Sequence, residues 1–166
     1  MKNILSAIDW ISEWSGVITG YMVIGATIIT CYEVVLRYAF NAPTDWGLEL
    51  TTYMCGAMYA LGGAIVYRKR GHVGLDLVYR HLPDRVKTIC EACYFFFVLP
   101  ICIVLIWNGG EFALKSLLSG ETSGTAWDPI IFPVRVLVPV GAFLLLLQGT
   151  AHFIRDLRKI AKWREQ

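Results

Sequence analysis

Four ionisable residues stand at the borders of long apolar runs, where a charge is costly in hydrocarbon and normally has either a partner or a task. Glu33 and Arg37 lie one helical turn apart in the favourable acid-before-base order, while Glu49 and Arg135 flank two other apolar runs. Two chemistries suit such a set. A carboxylate can titrate and couple proton movement to the passage of a solute, or two acids and two bases can neutralise one another and fasten helices together. A coupling carboxylate should sit near mid-membrane without a basic neighbour. Here Arg37 lies beside Glu33 and Glu49 stands at a helix entrance, so a neutral cluster pinning the first, second and fourth helices is the expected role.

The other reactive residue types do not assemble into a site. Cys31, Cys55, Cys90, Cys93 and Cys102 fall in or at the edges of apolar runs, and the pair Cys90 and Cys93 has no second pair or adjacent histidine to complete a metal or redox motif. A haem held inside a helical bundle needs histidines within the spans, whereas His72 and His81 occupy a basic loop and His152 a helix end. No nucleophile elbow, phosphate loop or dinucleotide motif occurs. The chain is therefore read as a non-enzyme with no catalytic, metal or cofactor-binding residues and no cofactor of its own.

The elements that must carry these residues follow from four charge-free windows, Trp14–Tyr32, Leu50–Tyr67, Ala92–Gly110 and Val136–Ile154, each of 18 or 19 residues. A helix rises about 1.5 Å per residue, so each window is long enough to cross a hydrocarbon core of about 30 Å. Hydrophobic residues make up 56% of the chain and charged ones only 17%, with a mean hydropathy of +0.54, which moves it away from the soluble globular class. The expected fold is an all-α membrane protein: a four-helix bundle of four transmembrane helices, plus short amphipathic interfacial helices.

Basic residues orient it. Twelve Lys and Arg residues fall in the N-terminus, the second loop and the C-terminal tail, against Arg37 and Lys115 in the other loops and Arg135 at the start of the fourth span. Lysine and arginine in short loops stay on the cytoplasmic side, so both termini are placed there. The basic face then lies against anionic lipid headgroups, and no nucleic-acid partner is needed to explain it. Residues 1–166 form one domain. Residues 1–13 carry Ile4, Leu5, Ile8 and Ile11 at helical spacing and are read as an interfacial helix, with no signal-peptide cleavage site after them. Spans are expected at about 14–37, 46–67, 88–110 and 130–154, followed by a basic cytoplasmic tail over 155–166. In the inner loop, Val73, Leu77 and Val78 suggest another surface helix, closed by Pro83.

Several segments carry a likeness in their order along the chain: "EVVLRY" with Glu33, Arg37 and Tyr38, "DWGLEL" with Trp46 and Glu49, "RKRGHVGLDLVYRHLPDR" with His72 and Asp76, and "TAWDPIIFPVRVLVPVGAFLLLLQG". Together they resemble the small membrane subunit, DctQ type, of tripartite ATP-independent periplasmic (TRAP) transporters. The resemblance implies a multi-pass protein of the bacterial inner membrane serving as scaffold and docking subunit. It implies two partners, a large multi-span permease subunit that carries the sodium and substrate sites and a periplasmic substrate-binding protein. The cargo class would be an organic anion such as a sialic acid or a C4-dicarboxylate. On the same likeness Glu33, Arg37, Trp46, Glu49 and Arg135 lie near the outer subunit interface, and His72 and Asp76 order the inner loop. Two alternatives stand beside this reading: a self-contained small proton-coupled exporter and a membrane assembly protein with no transport role.

Overall fold

The computed structural model describes residues 2–69 and 83–164, and these residues form four helices: α1 (Lys2–Ala39), α2 (Gly47–Arg68), α3 (Asp84–Ser119) and α4 (Phe132–Arg164). His72, Asp76 and the surface helix expected around Val73 lie outside the described residues. Each helix end has a local cause. Asn41, at φ 51°, turns the chain after α1, and the Ala42 N–H reaches back to the Leu36 carbonyl at 3.1 Å. Thr44 then receives the Gly47 N–H at the start of α2, at 3.2 Å. Pro83 directly precedes α3, a position where proline's extended backbone and missing donor cost nothing. Gly120, at φ 61°, ends that helix and lets the Glu121 N–H bond to the Ser116 carbonyl at 3.2 Å. Pro133 sits in the first turn of α4, where the missing N–H has no intrahelical acceptor to lose.

Residues 2–13 do not form a separate interfacial helix. They are the opening turns of α1, whose 38 residues run without a break for about 57 Å. No glycine or proline interrupts the sequence before Gly16, and Asp9, Ser12 and Glu13 of this stretch find partners on other helices. At the other end, α3 continues past its charge-free window to Ser119, with Glu111 and Lys115 paired at 2.7 Å along the extension.

The helices pack in the order α1, α2, α4, α3. Contacts between α3 and α4 are the most extensive, followed by α1 with α2 and α2 with α4; α1 touches α4 in a small area. Glycines set the close approaches. A side chain at Gly141 would run into the Ala60 carbonyl, one at Gly16 into Ile65 at 2.8 Å, and one at Gly109 against Pro139 at 3.2 Å.

Burial is inverted relative to a soluble protein. The largest fully buried side chains are Gln148, Asp156, Cys102, Ser12 and Ser116, while Phe97, Trp107 and Leu118 are 73%, 76% and 86% exposed. An aqueous fold buries the second set and exposes the first. Three of the described helices, α1, α3 and α4, are long and apolar enough to cross a membrane; the glycines, threonines and tyrosines of α2 leave it below that mark.

The α2–α4 approach gives a direct test. Gly141→Leu should destabilise the fold by about 1–3 kcal/mol, because backbone cannot yield to the new side chain as another side chain could. Gly20→Ala, at a position with nothing within 4 Å of the added carbon, should be neutral or slightly stabilising. Thermal unfolding of the two variants in the same detergent compares them.

Candidate functional site

The helix ends that the distribution of basic residues assigns to the outer side, called outer below and their opposites inner, hold the ionisable residues singled out from the sequence, and the structure divides them among three separate contacts. Glu33 is buried, and its carboxylate accepts from Arg37 Nη2 at 3.1 Å, from the Thr44 N–H at 3.2 Å and from the Thr44 hydroxyl. The Thr44 hydroxyl also receives the Gly47 N–H, so one carboxylate on α1 fixes the turn that launches α2. A side chain at Gly47 would strike both groups, at 2.7 Å from the Thr44 hydroxyl and 2.8 Å from the Glu33 carboxylate. Trp46 lies over Tyr32 of α1, with ring centroids 6.2 Å apart, and supports the same turn from the side.

Glu49, in the first turn of α2, points instead to the loop between α3 and α4. It accepts from the Tyr53 hydroxyl at 2.5 Å and from the Thr125 hydroxyl at 2.6 Å. That loop is a miniature hairpin. Thr122 pairs with Ile130, the Ser123 N–H bonds to the Pro129 carbonyl at 3.1 Å, and Gly124 and Asp128 take left-handed conformations at its tip, joined by a 2.8 Å bond from the Gly124 N–H to the Asp128 carboxylate. Arg135 closes the hairpin's base by a two-pronged ion pair with Glu121, in which Nη2 reaches the carboxylate at 2.7 Å. The structure thus joins Glu33 to Arg37 but leaves Glu49 and Arg135 each with a different partner. Three local fastenings replace a single network.

A neutral quartet of two acids and two bases does join α1, α2 and α4, at the inner end. Asp9 of α1 receives Arg155 of α4 through both guanidinium nitrogens, at 2.6 Å and 3.2 Å, and Gln148 at 3.1 Å. Arg68 of α2 lies 3.9 Å from Asp9 and 3.1 Å from Glu13. The Ser12 hydroxyl, fully buried, donates to Gln148 at 2.9 Å and so satisfies the amide oxygen that Asp9 cannot. The guanidinium of Arg155 also reaches the Leu5 carbonyl at 3.4 Å. Among the described residues no group of three or more metal-ligating side chains forms. Both constellations are chemically suited to holding helices in register.

Comparison with known proteins decides the family. Residues 26–159, which include all four helices at least in part, match the family described as "Tripartite ATP-independent periplasmic transporters, DctQ component". The chain belongs to the DctQ family. One curated relative, the C4-dicarboxylate TRAP transporter small permease protein DctQ of Vibrio cholerae serotype O1, is 28% identical over 85 residues. The alignment covers 49% of this chain and 37% of the relative, so the chain spans little more than a third of that protein's length. DctQ-family chains are transporter components and not enzymes, in agreement with the absence of catalytic motifs from the sequence.

In this DctQ-family chain the residues that sequence reasoning missed are Asp9, Ser12, Glu13, Arg68, Gln148 and Arg155. Two signals pointed to them. Asp9 and Glu13 are acids one turn apart on a side otherwise crowded with basic residues, and Gln148 is a lone amide in the Val136–Ile154 window. Each is unfavourable unless it meets a partner on another helix.

Asp9→Ala should cost about 1.5–3 kcal/mol, the range for hydrogen bonds to charged groups, and Arg155→Ala a similar amount. The double variant should cost clearly less than the sum, because the two changes remove one shared interaction. At the outer end, Arg135→Glu should loosen the hairpin, and the exchange Arg135→Glu with Glu121→Arg should restore it. Unfolding in detergent reads the first pair, and protease susceptibility of residues 120–131 the second.

Proposed function

We propose that this chain is the small scaffold and docking subunit of a binding-protein-dependent secondary transporter in a bacterial inner membrane, with four membrane crossings and both termini in the cytoplasm. Its partners are a large multi-span permease subunit and a periplasmic substrate-binding protein. The transported solute is an organic anion, a C4-dicarboxylate in the first instance because the curated relative is named for that cargo, with sialic acids in the same chemical class. Sodium coupling belongs to the large subunit. The observation that carries the reading is the DctQ match over residues 26–159 on helices whose outward surfaces are apolar.

Physical features of the chain support a bracing role. Its described helices are continuous and offer no broken-helix termini of the kind that cradle a substrate or ion in many transporters. The hollow beside Pro100, lined by Pro100, Ile101, Val104 and Leu105, gives an anion no polar contact. Glu33 and Glu49, the carboxylates a proton-coupled exporter would need, are each held by nearby donors. Three outer fastenings and one inner quartet instead make a stiff support. With α2 as a crossing, its basic end at Arg68 and Lys69 lies on the cytoplasmic side, as the twelve-to-two distribution of charge requires. The outer residues Glu33, Arg37, Trp46, Glu49 and Arg135 act by shaping the surface met by the other two components, and His72 and Asp76 order the inner loop.

Purification by a tag on this chain, after coexpression with the adjacent large membrane subunit, should yield the two together. Vesicles containing this chain alone should take up no dicarboxylate under a sodium gradient, while the complex with its binding protein should. Replacing Arg37, Trp46 and Glu49 together by alanine should lower uptake on the order of tenfold, equivalent to about 1.4 kcal/mol. Uptake by the isolated chain, or a normal rate in the triple variant, contradicts the corresponding part of the proposal.

A further inference from the structure

The charge-free windows are not level with one another in the folded chain. Gly16 packs against Ile65, Gly62 lies nearest Thr19 and Gly25 meets Met54, so the windows Trp14–Tyr32 and Leu50–Tyr67 run side by side from end to end. The other two are displaced. Gly109 of α3 meets Pro139 of α4, and Gly141, one place further along the same face of α4, meets Ala60 of α2. Gly109, close to the outer end of its own window, therefore stands level with the middle of the window on α2. At the other end Phe95 and Phe96 pack on Phe153, next to the turn that carries Arg155, so the inner part of the α3 window lies near the level of the ionic quartet around Asp9. From Val23 at the centre of the α1 window to Ile101 at the centre of the α3 window, these pairings descend roughly seven residues, or about 10 Å toward the inner side.

A bilayer lying square to the helices cannot suit both edges of the layer. Set level with α1 and α2, it holds the exposed amide of Asn108 near its centre and Glu111, whose side chain is 55% exposed, more than about a turn below its outer border. It also leaves the exposed rings of Phe96 and Phe97 at its inner border. Set level with α3 instead, it draws Glu13, whose side chain is 63% exposed, about one turn into hydrocarbon. A tilt of the layer in its own plane removes all three conflicts. Neighbouring helix axes lie about 8–10 Å apart, so a tilt of about 20° raises α3 by the missing 10 Å or so relative to α1, and membrane helices ordinarily tilt by about that much. The exposed tryptophans agree. In an upright layer Trp14 of α1 and Trp107 of α3 lie only about two turns apart in level, too close to approach opposite borders. The tilt moves Trp107 toward the outer border at one edge, and Trp10 and Trp14 toward the inner border at the other, the depths that suit an indole ring.

We propose that the apolar belt of this chain runs obliquely across the layer, and that the bilayer holds the subunit tilted by about 20° in the plane of that layer, with the α3 edge raised toward the outer side and the α1 edge lowered toward the inner. This rests on the four crossings proposed above and assigns the lipid-facing border of the chain. The last turns of α3, beyond Gly110, then stand among the outer headgroups beside the hairpin, where the Glu111–Lys115 pair is solvated.

The test compares depth at exposed sites that share a level. Single nitroxide labels are placed at positions 24, 112, 11 and 97 of the full chain, its five native cysteines replaced by alanine. Depth in phosphatidylcholine nanodiscs is read from the relative access of oxygen and a water-soluble nickel chelate. The contacts put position 24 level with 112, and 11 level with 97. Position 112 should lie nearer the outer headgroups than 24, and 97 deeper in hydrocarbon than 11, each by about 10 Å. Equal depths within either pair overturn the tilt. Polarised infrared spectroscopy of the unsubstituted chain in aligned bilayers gives a reading that does not depend on the cysteine replacements. A mean helix inclination of about 20° is expected, and one below about 10° overturns the proposal. A label at position 56 that meets the nickel chelate freely, while 97 stays shielded, means that α2 does not cross and overturns the four-crossing reading instead.

Discussion

The carboxylate of Asp9 is the point on which the arrangement turns. It meets Arg155 and Gln148 of α4 directly and lies near Arg68 of α2, so a single group on α1 addresses both α2 and α4 at the inner end. Without it α1 would touch α4 over very little surface, since the helices otherwise follow one another in line. Hydrophobic packing cannot supply the missing constraint, because an apolar side chain of this chain gains little by leaving lipid for another apolar side chain. What distinguishes the correct pairing from a slipped one is polar complementarity. Asp9, Glu13, Arg68 and Arg155 provide it with zero net charge, which suits groups held close to the membrane border.

The same reasoning explains the outer end. There the chain reverses twice, once between α1 and α2 and once between α3 and α4, and each reversal is governed by a carboxylate that bonds to a threonine. Glu33 holds Thr44, which caps α2, and Glu49 holds Thr125 at the hairpin tip. Arg135 and Glu121 secure the hairpin's base. The loops are thereby tied to helix ends by short-range contacts, while the helices are tied to one another from the inner side.

Much of this was legible from composition. The charge-free windows located the helices, because a run of 18 or 19 residues without charge is rare outside helices that cross a membrane. The pair Glu33 and Arg37 was readable because both residues sit on one helix, where spacing alone decides contact. Glu49 and Arg135 were not, since shared depth does not tell which of several groups at that depth lies within reach. Glu121 was overlooked as a loop residue, yet Gly120 at φ 61° and the hairpin after it carry its side chain back to α4. The inner quartet was hidden for a related reason. Asp9 and Glu13 fit an amphipathic surface helix equally well, and only the continuity of α1 with its first span brings them alongside Arg68 and Arg155.

That continuity also bears on how a helical layer holds its shape without a thick core. Among the described residues few large side chains are buried, so rigidity cannot come from a dense interior of the kind that stabilises soluble domains. Small residues at Gly16, Gly109 and Gly141 allow backbones to come close, but they specify separation better than register. Register is set where directional bonds exist, at Asp9 at one end of the helices and at Glu33, Glu49 and Arg135 at the other.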